Sequence, residues 1–205
     1  MLIRRHDEPL SDDEWRAFLV DHDFGELIVP GRDRDLPIVI PAHFIYDGDK
    51  TVLLHLAKPN PVWEALDERP RALLSVFGAY AYVAGHWNQD EYGVPTSYYA
   101  AVQLACDAEV IDDHAAVAAI LEQQLSHFQP EGRHAPVEPG DNPYGKLLGS
   151  IRGIRLSVTD VRAKFKFGAN RTVEHRRAVA TKLAERGAPL DLEAREHLLR
   201  RTPSR

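Results

Sequence analysis

Leu36-Pro37-Ile38-Val39-Ile40-Pro41-Ala42-His43-Phe44-Ile45-Tyr46 runs into Asp47-Gly48-Asp49 and then into Thr51-Val52-Leu53-Leu54-His55-Leu56-Ala57. Two runs rich in β-branched and aromatic residues around an Asp-Gly turn predict a β-hairpin over residues 36–57. Proline has no N–H to give to a ladder, so Pro37 and Pro41 place the first strand at a sheet edge or at a bulge. Just downstream, Asn60-Pro61 supplies a cap and a proline for the first helical position, which opens a short helix through residue 66.

Upstream, Ser11-Asp12-Asp13-Glu14 reads as a capping box, with Trp15, Phe18 and Leu19 on one face of a helix ending near residue 21. A strand follows at 24–29, then a charged turn at 32–35. Downstream, 72–77 and 79–84 read as two strands separated at Gly78, 85–96 as a polar loop, and 98–111 as a long strand. Asp112 or Asp113 caps a helix carrying Val117, Ile120, Leu121 and Leu125. Residues 127–143 are rich in Pro, Gly and His and read as a long irregular connection. Asn142-Pro143 opens a short helix to 148, and a strand at 151–158 is continued by 161–167. Helices near 172–186 and 191–201 close the chain. Strands dominate the middle with no regular βαβ alternation. The expected class is therefore mainly β (α+β): an antiparallel barrel with helices outside it, not a doubly wound sheet.

The chain of 205 residues fits one domain, or one domain with an appended helical piece, and 44% hydrophobic residues suffice for a core. A net charge of −6 argues against broad binding to a phosphate backbone. Cys106 is the only cysteine, so no intramolecular disulfide forms, and its alternating apolar surroundings predict a buried, inert thiol. The first residues lack the apolar run of a signal peptide, and no segment approaches a membrane span of about 20 apolar residues. A cytoplasmic location without membrane association is the expectation.

Further segments carry a family likeness. They are Phe24-Gly25 in the first strand, Pro41-Ala42-His43, His55-Leu56-Ala57-Lys58-Pro59-Asn60-Pro61-Val62-Trp63, Val94-Pro95-Thr96-Ser97-Tyr98-Tyr99, Gly153-Ile154, and Lys166-Phe167-Gly168-Ala169-Asn170-Arg171. In order and spacing they resemble the PaiB-type FMN-binding proteins of the flavin split-barrel, pyridoxamine-phosphate-oxidase-like superfamily. The chain departs from that pattern where Ser97-Tyr98 stands for Trp-Asn and Gly168-Ala169 for Ser-Gln. Tyr80 also stands where the family often has histidine. The resemblance implies a six-stranded antiparallel split barrel of the FMN-binding type with peripheral helices over residues 1–168. It implies a C-terminal helical extension over 169–205, packed on the barrel or on a dimer partner. It also implies a homodimer with FMN at the subunit junction. Members of the family are named as negative transcriptional regulators.

FMN presents a phosphate that needs cations or N–H donors, and a flat ring that needs apolar faces with a few polar contacts at its edge. The resemblance assigns the phosphate to Lys58, with Asn60 in support; the same two residues also read as a solvated loop charge and a helix cap. His43 and His55 lie on adjacent strands of the hairpin, within reach of ribityl or phosphate, and each also reads as a half-buried histidine of the fold. Two histidines without a third ligand do not make a zinc site, and His127 and His134 with Glu131 and Glu138 lack ligand spacing, so no metal is expected. The aromatic group of Tyr80, Tyr82, Trp87, Tyr92, Tyr98 and Tyr99 reads as core or dimer interface, with Tyr98 a candidate to border the flavin ring. Alternation places Lys164 and Lys166 on one strand face. With Asn170 and Arg171 they form a basic segment suited to phosphate, to nucleic acid or to a solvated edge.

Three functions compete. The first is an FMN-binding flavoprotein, with a small flavin-dependent oxidoreductase left open because the cofactor carries the reactivity. The second is a transcriptional regulator acting on DNA or a protein partner through the arginines near 171–201, against the sign of the net charge. The third is a cofactor-free dimeric interaction module.

Overall fold

The computed structural model describes residues 1–88 and 93–202. Seven strands form one sheet: β1 (Phe24–Val29), β2 (Ile38–His43), β3 (Ile45–Tyr46), β4 (Thr51–Ala57), β5 (Arg71–Val83), β6 (Thr96–Ile111) and β7 (Ile151–Lys166), in the order β2-β1-β5-β6-β7-β4-β3. The helices are α1 (Asp12–Asp21), α2 (Val62–Glu68), α3 (His114–Phe128), α4 (Pro143–Leu148), α5 (Val173–Arg186) and α6 (Asp191–Arg200). None of the described helices is long and apolar enough to cross a membrane. The α+β class is as expected, while the sheet has seven strands rather than six, and no ladder joins its two end strands among the described residues.

The predicted hairpin strand over 36–46 is divided. β2 pairs antiparallel with β1, and β3 pairs antiparallel with β4, so the strand changes partner at the buried Phe44. Phe44 N–H donates instead to the carbonyl of Asp23 at 2.8 Å. β2 stands at one end of the order, and Pro41 sits there with β1 as its single partner. The turn at 47–51 closes on Asp47, whose Oδ1 accepts from the amides of Asp49, Lys50 and Thr51 at 2.8, 2.9 and 2.9 Å.

The break expected at Gly78 is absent. β5 is one strand, but its buried positions shift from 72, 74 and 76 to 79, 81 and 83, with Ala79 at φ +50°. That is the signature of a bulge: one extra residue with left-handed backbone flips the following side chains to the other face. Similarly, β7 runs unbroken through residues 158–161.

By contacts the chain divides into two units: 1–15, 76–102 and 162–205 in the first, and 16–75 and 103–161 in the second. The first unit buries Phe165 and Phe167 of the β7 end. The imidazole of His197 stacks on Phe167 at 4.8 Å, and the Arg201 guanidinium lies 5.2 Å from the Phe165 ring. The expected capping box does not form as read: Glu14 accepts from the Leu10 amide at 2.7 Å and takes both Arg201 Nη1 and Nη2 at 2.7 Å. The charged partner from the far end of the chain outcompetes the local cap.

In the second unit, α3 is capped by Asp113, whose side chain accepts from Ala116 N–H, while Asp112 pairs with Arg152 at 2.6 Å. The helix buries Val117, Ile120 and Leu121 with Ile111 and Leu148. Gly153 lets it approach, since a Cβ there would lie 2.6 Å from Ile120 Cδ1. Cys106 is buried in this unit, and burial pushes its thiol up to about 12, consistent with an inert side chain.

Candidate functional site

The eight sequence candidates fall into three places. Tyr98, Lys166, Asn170 and Arg171 line one pocket of about 310 Å³ in the first unit. His43 and His55 line a cavity of about 500 Å³ in the second. Lys58 and Asn60 lie between β4 and α2 and line neither. Asn60 Oδ1 accepts from Val62 N–H at 3.1 Å, so it works as a local cap, and Lys58 is exposed.

The first pocket is built by alternation and one turn. Lys164 and Lys166 project from the face of β7 opposite the buried Ala163 and Phe165, as a period of two requires. Lys166 Nζ donates to Thr96 Oγ1 at 2.9 Å, and Lys164 Nζ donates to the Leu2 carbonyl at 2.9 Å and sits 3.9 Å from Asp7. Both ammonium groups also lie over the Tyr99 ring, at 5.4 and 5.9 Å. The chain then turns: Gly168 takes φ +65°, and its carbonyl accepts from Arg171 N–H at 2.9 Å. Arg176 locks this turn from behind. It is buried, and its guanidinium donates to the carbonyls of Ala169 and Arg171 and to Thr202 Oγ1.

Arg4 and Arg171 complete the cationic lining, and among the described residues their guanidinium groups make no hydrogen bond or ion pair. Among the described residues, four basic side chains thus face one carboxylate, Asp7, in a protein of net charge −6. Two neighbours feel the field. Burial, then Arg171 and Arg176, depress the His175 imidazole; burial raises the Tyr98 phenol while the same two arginines pull it down. The pocket therefore suits a dianion, bound by charge-assisted hydrogen bonds. Sequence reasoning missed Arg4, His6 and His175, which no local pattern connects to β7.

The second cavity lies between the hairpin strands and α3. His55 is paired with Gly153 across β4 and β7, on the face that Gly153 leaves open to α3. Its Nδ1 contacts Gln124 Oε1 at 2.6 Å, and its ring lies 5.4 Å from that of His43, which in turn lies 5.1 Å from Phe128. Burial, with a smaller push from His43, depresses the His55 imidazole against the opposing pull of Gln124. Leu121, Leu125 and Tyr144 supply apolar walls. Gln124 was not among the sequence candidates, although a polar residue on the stripe of Val117, Leu121 and Phe128 was its visible signal.

Other candidates are accounted for locally. Tyr80 and Tyr82 are exposed on β5 with Phe77, Trp87 lies 4.8 Å from the Arg186 guanidinium, and Tyr92 lies outside the described residues. Of the arginines offered for nucleic acid, Arg186 holds Asp191 at 2.6 and 2.8 Å, and Arg176 and Arg201 are buried.

Residues 1–160 match a family described as "Putative FMN-binding domain". Lys164, Lys166, Asn170 and Arg171 lie beyond that match. No curated protein matches the chain. Among solved structures, the fold is similar to the flavocytochrome Anf3 from Azotobacter vinelandii, with a TM-score of 0.60 and 21% identity over 77% of this chain and 68% of that one. It is also similar to an FAD and heme binding protein from Mycobacterium smegmatis, with a TM-score of 0.59 and 20% identity over 78% of this chain and 73% of that one. At these identities the likeness is one of fold.

Proposed function

This chain belongs to the PaiB-type family of FMN-binding domains, and from that premise we propose that it is a flavin-binding protein whose basic pocket holds the FMN phosphate. The observation that carries this reading is the concentration of Arg4, Lys164, Lys166 and Arg171 around one small pocket of an acidic protein. The donor set fits a phosphate: two ammonium groups, two guanidiniums, the Asn170 amide and a turn braced by Arg176. Bound FMN would supply the redox chemistry, and oxidoreductase activity follows from the flavin rather than from any acid–base constellation of the chain. In this pocket the chain's own residues bind and orient the phosphate.

The split-barrel reading has its support in the second unit. A flat seven-stranded sheet would hold its end strands about 29 Å apart at the usual strand spacing. Here the end strands β2 and β3 are joined through Phe44 alone, which allows about 7 Å. The sheet must curl. The homodimer reading rests on Phe77, Tyr80 and Tyr82, which are 68%, 48% and 47% exposed on one strand. Sedimentation at micromolar protein should give a two-copy particle, and Phe77→Asp should shift it to one copy. A one-copy native particle ends the dimer reading. DNA binding gains nothing from a net charge of −6 and from arginines tied up within the chain.

The cofactor test compares FMN with riboflavin, which lacks the phosphate. Native protein should quench FMN fluorescence at concentrations where riboflavin remains free. Lys166→Ala and Arg171→Ala should each weaken FMN about tenfold to a hundredfold, the worth of one charge-assisted hydrogen bond, and leave riboflavin unchanged. Equal affinity for the two flavins, or native FMN affinity in both variants, would overturn the assignment.

A further inference from the structure

The cavity beneath α3 contains a group that the folded chain leaves unanswered. Gln124 is 3% exposed, and its Nε2 has no hydrogen-bond partner among the described residues. Its Oε1 is already engaged by His55 at 2.6 Å, which fixes the amide in place. An orphaned buried amide is destabilising by about 1–3 kcal/mol and is rare in folded proteins. Here it lines a cavity of about 500 Å³, within the usual size range of small-molecule sites.

The rest of the lining selects the ligand. Leu121, Leu125, Phe128 and Tyr144 are apolar or aromatic, and among the described residues no carboxylate, lysine or arginine lines the cavity. A charged ligand would lose its hydration there without a counter-ion. His43 and Phe128 meet edge to face at 5.1 Å, and aromatic walls of this kind favour a planar guest. With Nδ1 donating to Gln124, a neutral His55 offers Nε2 as an acceptor.

We propose that this cavity binds a flat, uncharged aromatic ring bearing a carbonyl oxygen, which accepts a hydrogen bond from Gln124 Nε2. The ligand with that chemistry is a carbonyl-bearing aromatic separate from the flavin, such as a quinone. The site shares no residue with the basic pocket. It stands or falls independently of the phosphate assignment.

The experiment uses the full chain with lumichrome, a flavin ring without ribityl or phosphate, and with 1,4-naphthoquinone. Binding of naphthoquinone should shift the Gln124 side-chain NH₂ resonances of ¹⁵N-labelled protein. Gln124→Leu should weaken binding at least tenfold. Leu125→Trp, which leaves the Gln124–His55 contact in place and fills the cavity, should abolish it; an unchanged thermal melt certifies that variant as folded. Lumichrome binding without naphthoquinone binding would make the cavity part of the flavin site and overturn the proposal. Naphthoquinone binding that survives saturation with FMN assigns it to a second ligand. If neither probe moves the Gln124 resonances, or both bind the two variants as they bind native protein, the proposal is wrong. Because neither probe carries a phosphate, that failure is distinct from a failure of the FMN and riboflavin comparison.

Discussion

Glu14→Gln is expected to lower the unfolding free energy by about 3–5 kcal/mol, the usual result of removing one member of a buried ion pair. Glu14 and Arg201 have side chains only 6% and 2% exposed, and both carboxylate oxygens accept from the guanidinium at 2.7 Å. The Leu10 amide donates to the same carboxylate, and His197 Nδ1 lies 3.7 Å away. A glutamine keeps the shape and supplies one acceptor, but it leaves the Arg201 charge buried without its counter-ion between Phe165 and Phe167. For a domain of this size the loss corresponds to a drop of about 10 °C in Tm.

The pH dependence has a definite sign. Burial alone would raise the Glu14 carboxyl, but His197 and Arg201 outweigh it and hold it down at about 2, against 4.5 for a free glutamate. A carboxyl depressed in the folded state stabilises fully above its unfolded value and loses that contribution as pH falls. The native protein should therefore keep its advantage over Glu14→Gln at pH 7. It should lose that advantage progressively from about pH 4.5 down to about 2. Paired thermal melts across that range provide the check, and a gap that is absent at pH 7 or constant down to pH 2 would refute this account.

Gly168→Ser is the second large effect. Position 168 has φ +65°, where a Cβ costs about 1–2 kcal/mol. That Cβ would also lie 2.2 Å from the Tyr98 hydroxyl and 2.9 Å from its Cζ, in a side chain that is itself buried. Overpacking adds about 1–3 kcal/mol, so a total loss of about 2–5 kcal/mol is expected. Tyr98 and Gly168 are two of the positions where the sequence departs from the PaiB-type pattern that it resembles, in which Asn and Ser stand there. The structure brings the two departures into contact: the larger residue at 98 occupies the space the smaller one at 168 gives up. Tyr98→Asn should consequently relieve Gly168→Ser. In a denaturant double-mutant cycle, the double variant should be more stable than the sum of the singles by about 1–3 kcal/mol. Strict additivity would mean that the departures are independent.

Much of the fold was readable in short windows. The Asp-Gly turn, the caps at Asp113 and Asn142, and the edge position of β2 all follow from residues within a few positions of each other. The misreadings have physical causes. Gly78 suggested a strand break because glycine weakens strands, but its neighbour Ala79 absorbs the irregularity as a bulge, and the strand continues to Val83. Ser11 and Glu14 fit a capping box, but Glu14 is drawn to a buried arginine 187 positions away. For the candidate sites, alternation in β7 correctly grouped Lys164 with Lys166. It carried no information on Arg4 or His175, which reach the same pocket from other elements. Nor did it reveal that His43 and His55 belong to a different, largely apolar cavity.

The sequence by itself determined the strand and helix periods, the turns, the α+β class and the family, because hydrophobic alternation and capping act between near neighbours. Only the tertiary structure decided which cations share a pocket, which carboxylate meets Arg201, and that the buried Gln124 Nε2 has no partner among the described residues. Those outcomes depend on charge and desolvation between residues far apart in the chain, whose energies exist only once the strands have brought them together.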